Sequence, residues 1–386
     1  MQRVGIYRHR LFGASEPFIH QQANALKRYE PMFMGFALQG DAPAGVEVRL
    51  AEPGKRRLGR GIALAKYALT RRPADFGTVL GGVELALLHA HFGIEGVYAV
   101  NLARVLNVPL VTTFHGYDAT TTAQAFLKSG KPTFINYVLF KKELAKHGDL
   151  FIAVSDHIRT LILQKGFPED RTVTHYIGVD TLKFSPPERR ANDPIVLTVA
   201  RLAEKKGTVY LIKAFAKVVA KYADAKLIIA GDGPLKPELE DLSKQLSLQD
   251  KISFLGAQPH DRIRELMKRA SVFCLPSVTA KSGDSEGLPI VLLEAAASGL
   301  PSVATIHSGI PEAVNHGLTG FLVPERSVDG LADRIVQLLA SDSVRRDMGL
   351  AARGLVERRF DLAKQTEKLE ELYDRVGRRH SSPHAD

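Results

Sequence analysis

The chain has 386 residues, 45% of them hydrophobic and 24% charged, which suits two soluble globular domains rather than one. Its one cysteine, Cys274, excludes an intramolecular disulfide and lies in the apolar run ASVFCLP, so we expect a buried thiol in a reducing compartment. No stretch reaches about 18 uninterrupted apolar residues, and the first residues contain no apolar signal core. We therefore expect a cytoplasmic protein without a membrane span.

The formal net charge of +10 is unevenly placed along the chain. Residues 1–190 hold 25 Lys and Arg against 16 Asp and Glu, a net +9, whereas residues 191–386 hold 27 against 26, a net +1. A basic half can attract nucleic acid, an anionic membrane surface or a phosphorylated substrate. Nucleic acid is disfavoured, because the sequence has no zinc-ligand set, no aromatic ribonucleoprotein motif and no basic recognition helix.

In the first half, short β-branched or apolar runs alternate with helical patterns. The strands predicted there are RVGIY, ELALLHA, PLVTTF and LFIAVS, and the clearest helices cover residues 17–28 and 96–106. This alternation is typical of a parallel sheet covered by helices.

The second half repeats the pattern after a proline-rich polar stretch, FSPPERRANDP, which suits neither a strand nor a helix. Its predicted strands are PIVLTVA, AKLIIAG, KISFLG, SVFCLP and PSVAT. We therefore predict an α/β chain of two doubly wound domains, residues 1–185 and 186–360. Residues 361–386 are predicted to form a C-terminal helix that crosses back to the first domain, followed by a disordered tail.

Cations and glycines follow two of these strands, where an open parallel sheet binds its ligands. Arg201 and Lys206 follow PIVLTVA, and a guanidinium fork with an ammonium is what a diphosphate needs. Lys205 is expected to be a solvated surface charge. Gly231 and Gly233, after AKLIIAG, allow close approach of the backbone to a ligand, although GDGP alone is equally an ordinary turn.

The run EGLPIVLLEAAASG carries two glutamates, Glu286 and Glu294, in an apolar setting. Pro289 fits the first helical position and Gly299 the cap, which predicts a helix over about residues 290–298 with Glu286 on the preceding loop. Because that helix has no polar face, Glu294 is predicted to be buried and to need a partner. The partner is an Arg in a structural ion pair, a hydroxyl-rich ligand, or both. The helix start suits an anion such as a phosphate.

The histidines and carboxylates give no metal-site pattern. His89 and His91 share a strand face and could join His115, which follows PLVTTF, in a zinc triad, but their spacing matches no known zinc motif. The chain has no Asp-x-Asp to chelate a metal-bound nucleotide. Walker A and G-x-G-x-x-G sequences are also absent, which disfavours NTP hydrolysis and nicotinamide chemistry. We therefore expect no metal and no cofactor.

Several of these motifs, taken in order, resemble a known family. VARLAEKKG, GDGP, EGLPIVLLEAAASGLPSVAT, GIPEAV and HGLTGFLV resemble the second domain of family-4 retaining glycosyltransferases. HAHFG and VPLVTTFHGYD resemble the first domain of bacterial members that build exopolysaccharide, capsule and colanic acid. The resemblance implies the GT-B fold, in which two Rossmann-like domains face each other across a cleft. It also implies that Arg201 and Lys206 hold a nucleotide-sugar diphosphate while Glu294 binds the ribose hydroxyls.

The resemblance also assigns the residues around the transferred sugar. Glu286 and the N–H groups of Gly287 and Leu288 would face the hexose, and His115 would lie beside it from the other domain. Gly13 falls where the family has a glycine-rich loop under the phosphates, but the sequence reads FGAS instead of a double glycine. The loop SVTAKSGDSEGLP is longer than usual and ends in Leu-Pro instead of Phe-Gly, so the sugar pocket is expected to differ in shape.

The implied function is transfer of a hexose from a UDP- or GDP-linked sugar, with retention and without a metal, to a lipid-linked diphosphate sugar or glycan acceptor. A GT-B nucleotide-sugar epimerase and a non-catalytic sugar-nucleotide binding protein are the alternatives. Residues 54–73 mix seven Lys or Arg with apolar residues, which predicts a helix that docks peripherally on the anionic inner face of the plasma membrane. The alternative for this segment is a solvated helix packed on its own domain.

Overall fold

The computed structural model describes residues 1–13, 16–51, 67, 69–71, 76, 79–190 and 193–381. The chain forms two compact units, the first made of Met1–Ile177 with the chain from Ala363 onward and the second of Gly178–Leu362. Among the described residues, no helix is both long and apolar enough to cross a membrane.

The first unit is built on a parallel sheet with helices along the chain between its strands. Its strands are β1 (Gln2–Tyr7), β2 (Arg10–Leu11), β3 (Tyr29–Gly35), β4 (Ala37–Leu38), β5 (Glu47–Leu50), β6 (Leu87–His91), β7 (Leu110–Phe114), β8 (Leu150–Ala153) and β9 (Thr172–Thr174). Its helices are α1 (Pro17–Asn24), α2 (Gly93–Leu106), α3 (Tyr117–Thr120), α4 (Ala123–Lys128), α5 (Pro132–His147) and α6 (Asp156–Gln164), with a 3-10 turn at Glu169–Arg171.

The second unit has the same plan. Its strands are β10 (Ile195–Val199), β11 (Lys226–Ala230), β12 (Ile252–Gly256), β13 (Val272–Leu275), β14 (Ser302–Thr305) and β15 (Gly320–Val323). Its helices are α7 (Thr208–Lys221), α8 (Lys236–Gln245), α9 (His260–Arg269), α10 (Ile290–Ala297), α11 (Ile310–Ala313), α12 (Val328–Ala340) and α13 (Asp342–Arg359), with a 3-10 turn at Glu204–Lys206. The last helix, α14 (Leu362–Ser381), begins at the end of this unit and continues in the first.

Both main sheets are parallel and reverse their direction of growth once. The order is β5-β3-β1-β6-β7-β8-β9 in the first unit and β12-β11-β10-β13-β14-β15 in the second. In each sheet the chain builds outward from its first strand, returns to that strand's other side and builds outward again. In such sheets, ligands bind at the carboxyl ends of the two strands between which the direction reverses. These strands are β1 and β6 in the first unit and β10 and β13 in the second.

Strand β3 was not among the predicted strands, and its sequence YEPMFMG contains a proline. Pro31 pairs with Val4 of β1, while pairing with β5 starts only at Met32. The position that lacks an N–H is therefore at the open start of the strand, where no ladder bond is lost.

The boundary between the units lies at Ile177 and Gly178, eight residues before the predicted boundary at 185 and 186. The intervening segment packs on α13 of the second unit. Arg353 Nη1 donates to the carbonyls of Thr181 at 2.9 Å and Phe184 at 2.6 Å. These contacts join residues far apart in sequence, which is why the proline-rich stretch alone misplaced the boundary.

Candidate active site

The carboxyl ends of three neighbouring strands bring polar side chains together in the second unit. Ser277 follows β13, His307 follows β14 and Glu325 follows β15, and these strands are adjacent in that order. Glu286, on the loop between β13 and α10, contacts Ser277 and His307 directly. The parallel sheet therefore assembles one polar cluster from distant parts of the sequence.

Glu286 is held by both its side chain and its backbone. Its Oε1 accepts from Lys206 Nζ at 2.6 Å and from Ser277 Oγ at 2.8 Å. Its N–H donates to His307 Nε2 at 3.2 Å, and its carbonyl accepts from Ser308 Oγ at 2.5 Å. The structure thus joins two predicted site residues, Lys206 and Glu286, in one ion pair.

The charge of Glu286 is compensated within the protein. Burial alone would raise the pKa of the Glu286 carboxyl, but Lys206 and Lys205 outweigh it and lower the pKa to about 2. Glu286 is therefore a carboxylate at neutral pH. Lys205 is not the solvated surface charge that the sequence predicted, because its Nζ pairs with Asp284 at 2.9 Å and its side chain is only 22% exposed. That pair ties the long loop before Glu286 to the turn after β10.

Glu294 lies on α10 in an uncompensated setting. The residue is 7% exposed, and burial raises the pKa of its carboxyl to about 7. Within the part of the chain that the structure describes, its one ionic contact is His260 Nδ1 at 3.9 Å, which is too long for a hydrogen bond. No Arg forms an ion pair with Glu294 among these residues. Of the two predicted partners, the hydroxyl-rich ligand is the one that remains.

The GDGP turn passes directly over the end of β10. The Leu202 N–H donates to the Asp232 carbonyl at 2.9 Å. A Cβ on Gly231, whose φ is +144°, would lie 1.9 Å from the Ala200 carbonyl oxygen, and one on Gly233 would lie 2.4 Å from that of Leu202. The two glycines are therefore required by close backbone packing as well as by any ligand.

Arg201 and the start of α10 remain available for an anion. Arg201 is exposed, and no carboxylate of the described chain lies within ion-pair distance of it. Pro289 is the N-cap residue of α10 rather than its first helical residue, one position from the prediction, and supplies no side-chain cap. Gly287 and Leu288 are buried just before it, and across the described residues the structure gives the Leu288 N–H no acceptor. The positive end of the α10 dipole adds to the attraction for an anion.

His115 lies in the first unit, after β7, and is half-buried. Its Nε2 lies 3.0 Å from His91 Nδ1, and burial, followed by the charge of Arg8, lowers the pKa of His115 well below its usual value. The Asp118 carboxylate accepts from the N–H groups of Gly93 at 2.7 Å and His115 at 3.2 Å. Asp118 therefore joins the end of β7 to the start of α2 and fixes the His115 backbone.

The neighbouring histidine, His89, is fully engaged by protein groups. Its Nδ1 lies 2.6 Å from Tyr373 Oη and its Nε2 lies 2.7 Å from Thr113 Oγ1. Neither nitrogen is left for a zinc ion, so the triad with His91 and His115 has no structural support. No group of three potential metal ligands occurs among the residues that the structure describes.

Gly13 also lies in the first unit, just before residues 14–15, which fall outside the described chain. Its carbonyl accepts from the Glu16 N–H at 2.9 Å. Arg8 pairs with Glu16 at 2.7 Å and with Glu95 at 3.7 Å, and Arg8 is only 8% exposed. Arg8 and Glu16, close to Gly13 in sequence, therefore form an ion-pair cluster with Glu95, which was not predicted.

His307 and Glu325 were not predicted as site residues, although the sequence contains a signal for both. Both follow strands, PSVAT and GFLV, to which the rule used for the other strand ends applies equally. PSVAT was predicted as a strand, whereas GFLV was not.

Two family profiles match the chain. Residues 20–183 match Glycosyltransferase Family 4, and residues 180–355 match Glycosyl transferases group 1. The putative colanic acid biosynthesis glycosyltransferase WcaL of Escherichia coli strain K12 is 35% identical over 320 residues, covering 78% of this chain and 76% of that protein. The amylovoran biosynthesis glycosyltransferase AmsK of Erwinia amylovora is 32% identical over 290 residues, covering 74% and 69%.

The fold has a solved counterpart in Anabaena Alr3699/HepE, crystallised with UDP and glucose. Its TM-score is 0.74 at 22% identity, with 97% of this chain and 99% of that chain covered. At this identity the likeness shows the fold alone. The predicted GT-B fold class, with two Rossmann-like α/β domains, is confirmed, and the chain belongs to the family-4, group-1 glycosyltransferases.

Proposed function

We propose that the chain is a retaining glycosyltransferase that moves a hexose from a UDP- or GDP-linked sugar to a lipid-linked diphosphate sugar or a glycan, in bacterial surface polysaccharide synthesis. The observation that carries this proposal is the pair of buried glutamates flanking the start of α10. Glu286 is compensated by Lys206, whereas the Glu294 carboxyl has no hydrogen-bond donor in the described chain.

The donor diphosphate is assigned to Arg201, Lys206 and the N-terminus of α10. Arg201 offers a guanidinium fork, and Lys206 an ammonium that already lies beside Glu286. Neutralising the leaving diphosphate is the main catalytic contribution in this account. The diphosphate takes the acceptor proton on the same face, so the configuration is retained without a protein nucleophile.

Glu294 is assigned to the ribose hydroxyls. Two hydroxyl donors would give its buried carboxylate the hydrogen bonds that it lacks in the described chain. Glu286, with the N–H groups of Gly287 and Leu288, is assigned to the hexose. The roles of His115 beside the transferred sugar and of Gly13 under the phosphates stay predictions from the family resemblance.

The relatives support the donor and pathway parts of the proposal. WcaL and AmsK are described by the colanic acid and amylovoran they help to make, and the Anabaena protein was crystallised with UDP and glucose. WcaL and AmsK are named as glycosyltransferases, which favours transfer over the epimerase and binding-protein alternatives.

The test is an incubation of the protein with a panel of nucleotide sugars, including UDP-glucose and GDP-mannose, with and without membrane extract. Acceptor-dependent release of UDP or GDP supports transfer. Interconversion of the sugar without an acceptor would indicate an epimerase, and binding without turnover a binding protein. We propose metal independence, because Arg201 and Lys206 can replace a cation at the diphosphate; activity that EDTA abolishes and Mg²⁺ or Mn²⁺ restores would contradict it.

Membrane docking through residues 54–73 is proposed as the route to a lipid-linked acceptor. Most of this segment lies outside the described residues. Of the described ones, Tyr67 is buried with its hydroxyl 2.6 Å from Tyr7 Oη, whereas Leu69 is exposed. Sedimentation with anionic liposomes tests the proposal: binding should fall at high salt and when Lys55, Arg56, Arg57 and Arg60 are changed to Ser. Equal recovery in the supernatant under all conditions would contradict it.

A further inference from the structure

Glu286 makes hydrogen bonds that do not involve Lys206. If Lys206 turns toward a donor diphosphate, Ser277 Oγ at 2.8 Å is the one hydrogen-bond partner that the Glu286 side chain keeps among the described residues. The backbone of Glu286 then remains fixed by His307 at its N–H and by Ser308 at its carbonyl. The contact to His307 is therefore one of those that hold Glu286 when the phosphate site is filled.

His307 is locked in one tautomer by its two partners. The Glu286 N–H is a donor, so His307 Nε2 must accept, and the ring proton must lie on Nδ1. His307 Nδ1 then donates to Glu325 Oε1, which lies 2.6 Å away. Because His307 is only 4% exposed, water has little access to replace either bond.

Glu325 connects the same histidine to the other end of the loop. Its carboxylate accepts from the Thr279 N–H at 3.0 Å and from Thr279 Oγ1 at 3.1 Å, and Arg326 Nη1 lies 3.0 Å away. Thr279 lies near the beginning of the loop between β13 and α10, and Glu286 lies near its end. Glu325 and His307 thus hold both ends of this loop from the ends of β15 and β14.

We propose that His307 is a positioning residue that, with Glu325, holds Glu286 against the donor hexose. Neither His307 nor Glu325 is assigned a contact with the diphosphate or the ribose. Substituting either residue should therefore weaken only the part of the binding affinity that the hexose contributes. This inference rests on the proposed function, because it assumes that Glu286 faces the hexose.

The test compares two kinds of ligand, nucleoside diphosphates and nucleotide sugars, across three substitutions of His307. Calorimetry measures the affinities of UDP and GDP, and of UDP-glucose and GDP-mannose, for the wild type and for His307→Ala, His307→Asn and His307→Gln. Losing the bond to the Glu286 N–H should weaken binding of the nucleotide sugar about tenfold while the nucleoside diphosphate changes by less than about twofold.

The two amide variants separate positioning from packing. The Gln amide oxygen can reach the place of Nε2 and accept from Glu286, whereas the Asn amide reaches only the place of Nδ1 and bonds to Glu325. His307→Gln should therefore keep most of the nucleotide-sugar affinity, and His307→Asn should behave like His307→Ala. Glu325→Gln gives a second measurement that leaves the histidine in place and should show the same selective loss, smaller in size.

Three results would overturn the inference. Nucleotide-sugar affinity that is unchanged in both His307→Ala and Glu325→Gln would remove the positioning role. Equal losses for nucleoside diphosphate and nucleotide sugar would show a general structural role instead. A wild type that binds none of the four ligands would overturn the proposed function itself, and the inference with it.

Discussion

Glu286 and Glu294 come from one short stretch and are both buried, yet their surroundings are opposite. Glu286 lies against an ammonium and a hydroxyl, and its pKa is lowered to about 2. Glu294 has only His260 at 3.9 Å as an ionic contact in the described chain, and burial raises its pKa to about 7.

The difference separates two ways in which a protein accommodates a buried carboxylate. Around Glu286 the fold supplies the compensating groups, so the charge is present and fixed before any ligand binds. Around Glu294 the described residues supply desolvation without hydrogen bonds, and a ligand with hydroxyl donors would complete the site.

Removing the cation beside Glu286 should have the largest effect. Lys206→Met leaves a buried carboxylate unpaired, which should cost about 3–5 kcal/mol of unfolding free energy and abolish most transfer activity. Denaturant unfolding measures the first effect and nucleotide release the second. The double variant Lys206→Met with Glu286→Gln should recover much of the stability but not the activity; a single variant as stable as the wild type would contradict the pairing.

The two glutamates should give the ligand-free protein opposite pH dependences. The folded pKa of Glu294, about 7, lies above its unfolded value of 4.5, so its contribution to stability is lost as pH rises between these values, by about 3 kcal/mol. The pKa of Glu286, about 2, lies below its unfolded value of 4.5, so its contribution is lost as pH falls between them. Unfolding free energies from pH 5 to 8 should therefore fall more in the wild type than in Glu294→Gln, and parallel curves would contradict the assignment.

Neutralising Glu294 should weaken the donor without disturbing the fold. Glu294→Gln keeps the size of the side chain but loses a charged acceptor, which is worth about 1.5–3 kcal/mol, or about 10- to 100-fold in nucleotide-sugar affinity. Glu265→Gln, on the exposed face of α9, is the matched control and should leave the affinity unchanged. Unaltered affinity in Glu294→Gln would exclude a ribose role for this residue.

Substituting Lys205 should have the smallest effect on stability and donor affinity, although Lys205 adjoins Lys206. Its pair with Asp284 is partly exposed, at 22% and 28%, so Lys205→Met should cost no more than about 1 kcal/mol of stability. It should also leave donor affinity nearly unchanged in calorimetry. Losses as large as those of Lys206→Met would show that the two lysines act as one phosphate clamp.

The sequence predicted well the features that depend on residues close together in the chain. Pro289 and Gly299 bracket a helix that the structure has at Ile290–Ala297, and its apolar composition was enough to predict that Glu294 is buried. The periodic alternation of strands and helices likewise predicted both doubly wound sheets.

What the sequence could not predict depends on contacts between distant residues. Lys205 read as a surface charge because its partner, Asp284, lies 79 residues away. The bond between His307 and the Glu286 backbone exists only because β13 and β14 are neighbours in the folded sheet. From the sequence alone, Gly231 could be an ordinary turn residue. The structure shows that a Cβ on Gly231 would collide with the Ala200 carbonyl.

The pH dependence of nucleotide-sugar affinity tests the central claim most directly. If Glu294 binds the donor as a carboxylate, binding must ionise a group whose pKa is about 7 in the free protein. Titrations of UDP-glucose and GDP-mannose between pH 5.5 and 8.5 should then show affinity that rises by up to about tenfold per pH unit below about pH 7 and levels off above it, and Glu294→Gln should remove this rise. Affinity that is flat or falls with pH in the wild type would contradict the assignment of Glu294 to the donor.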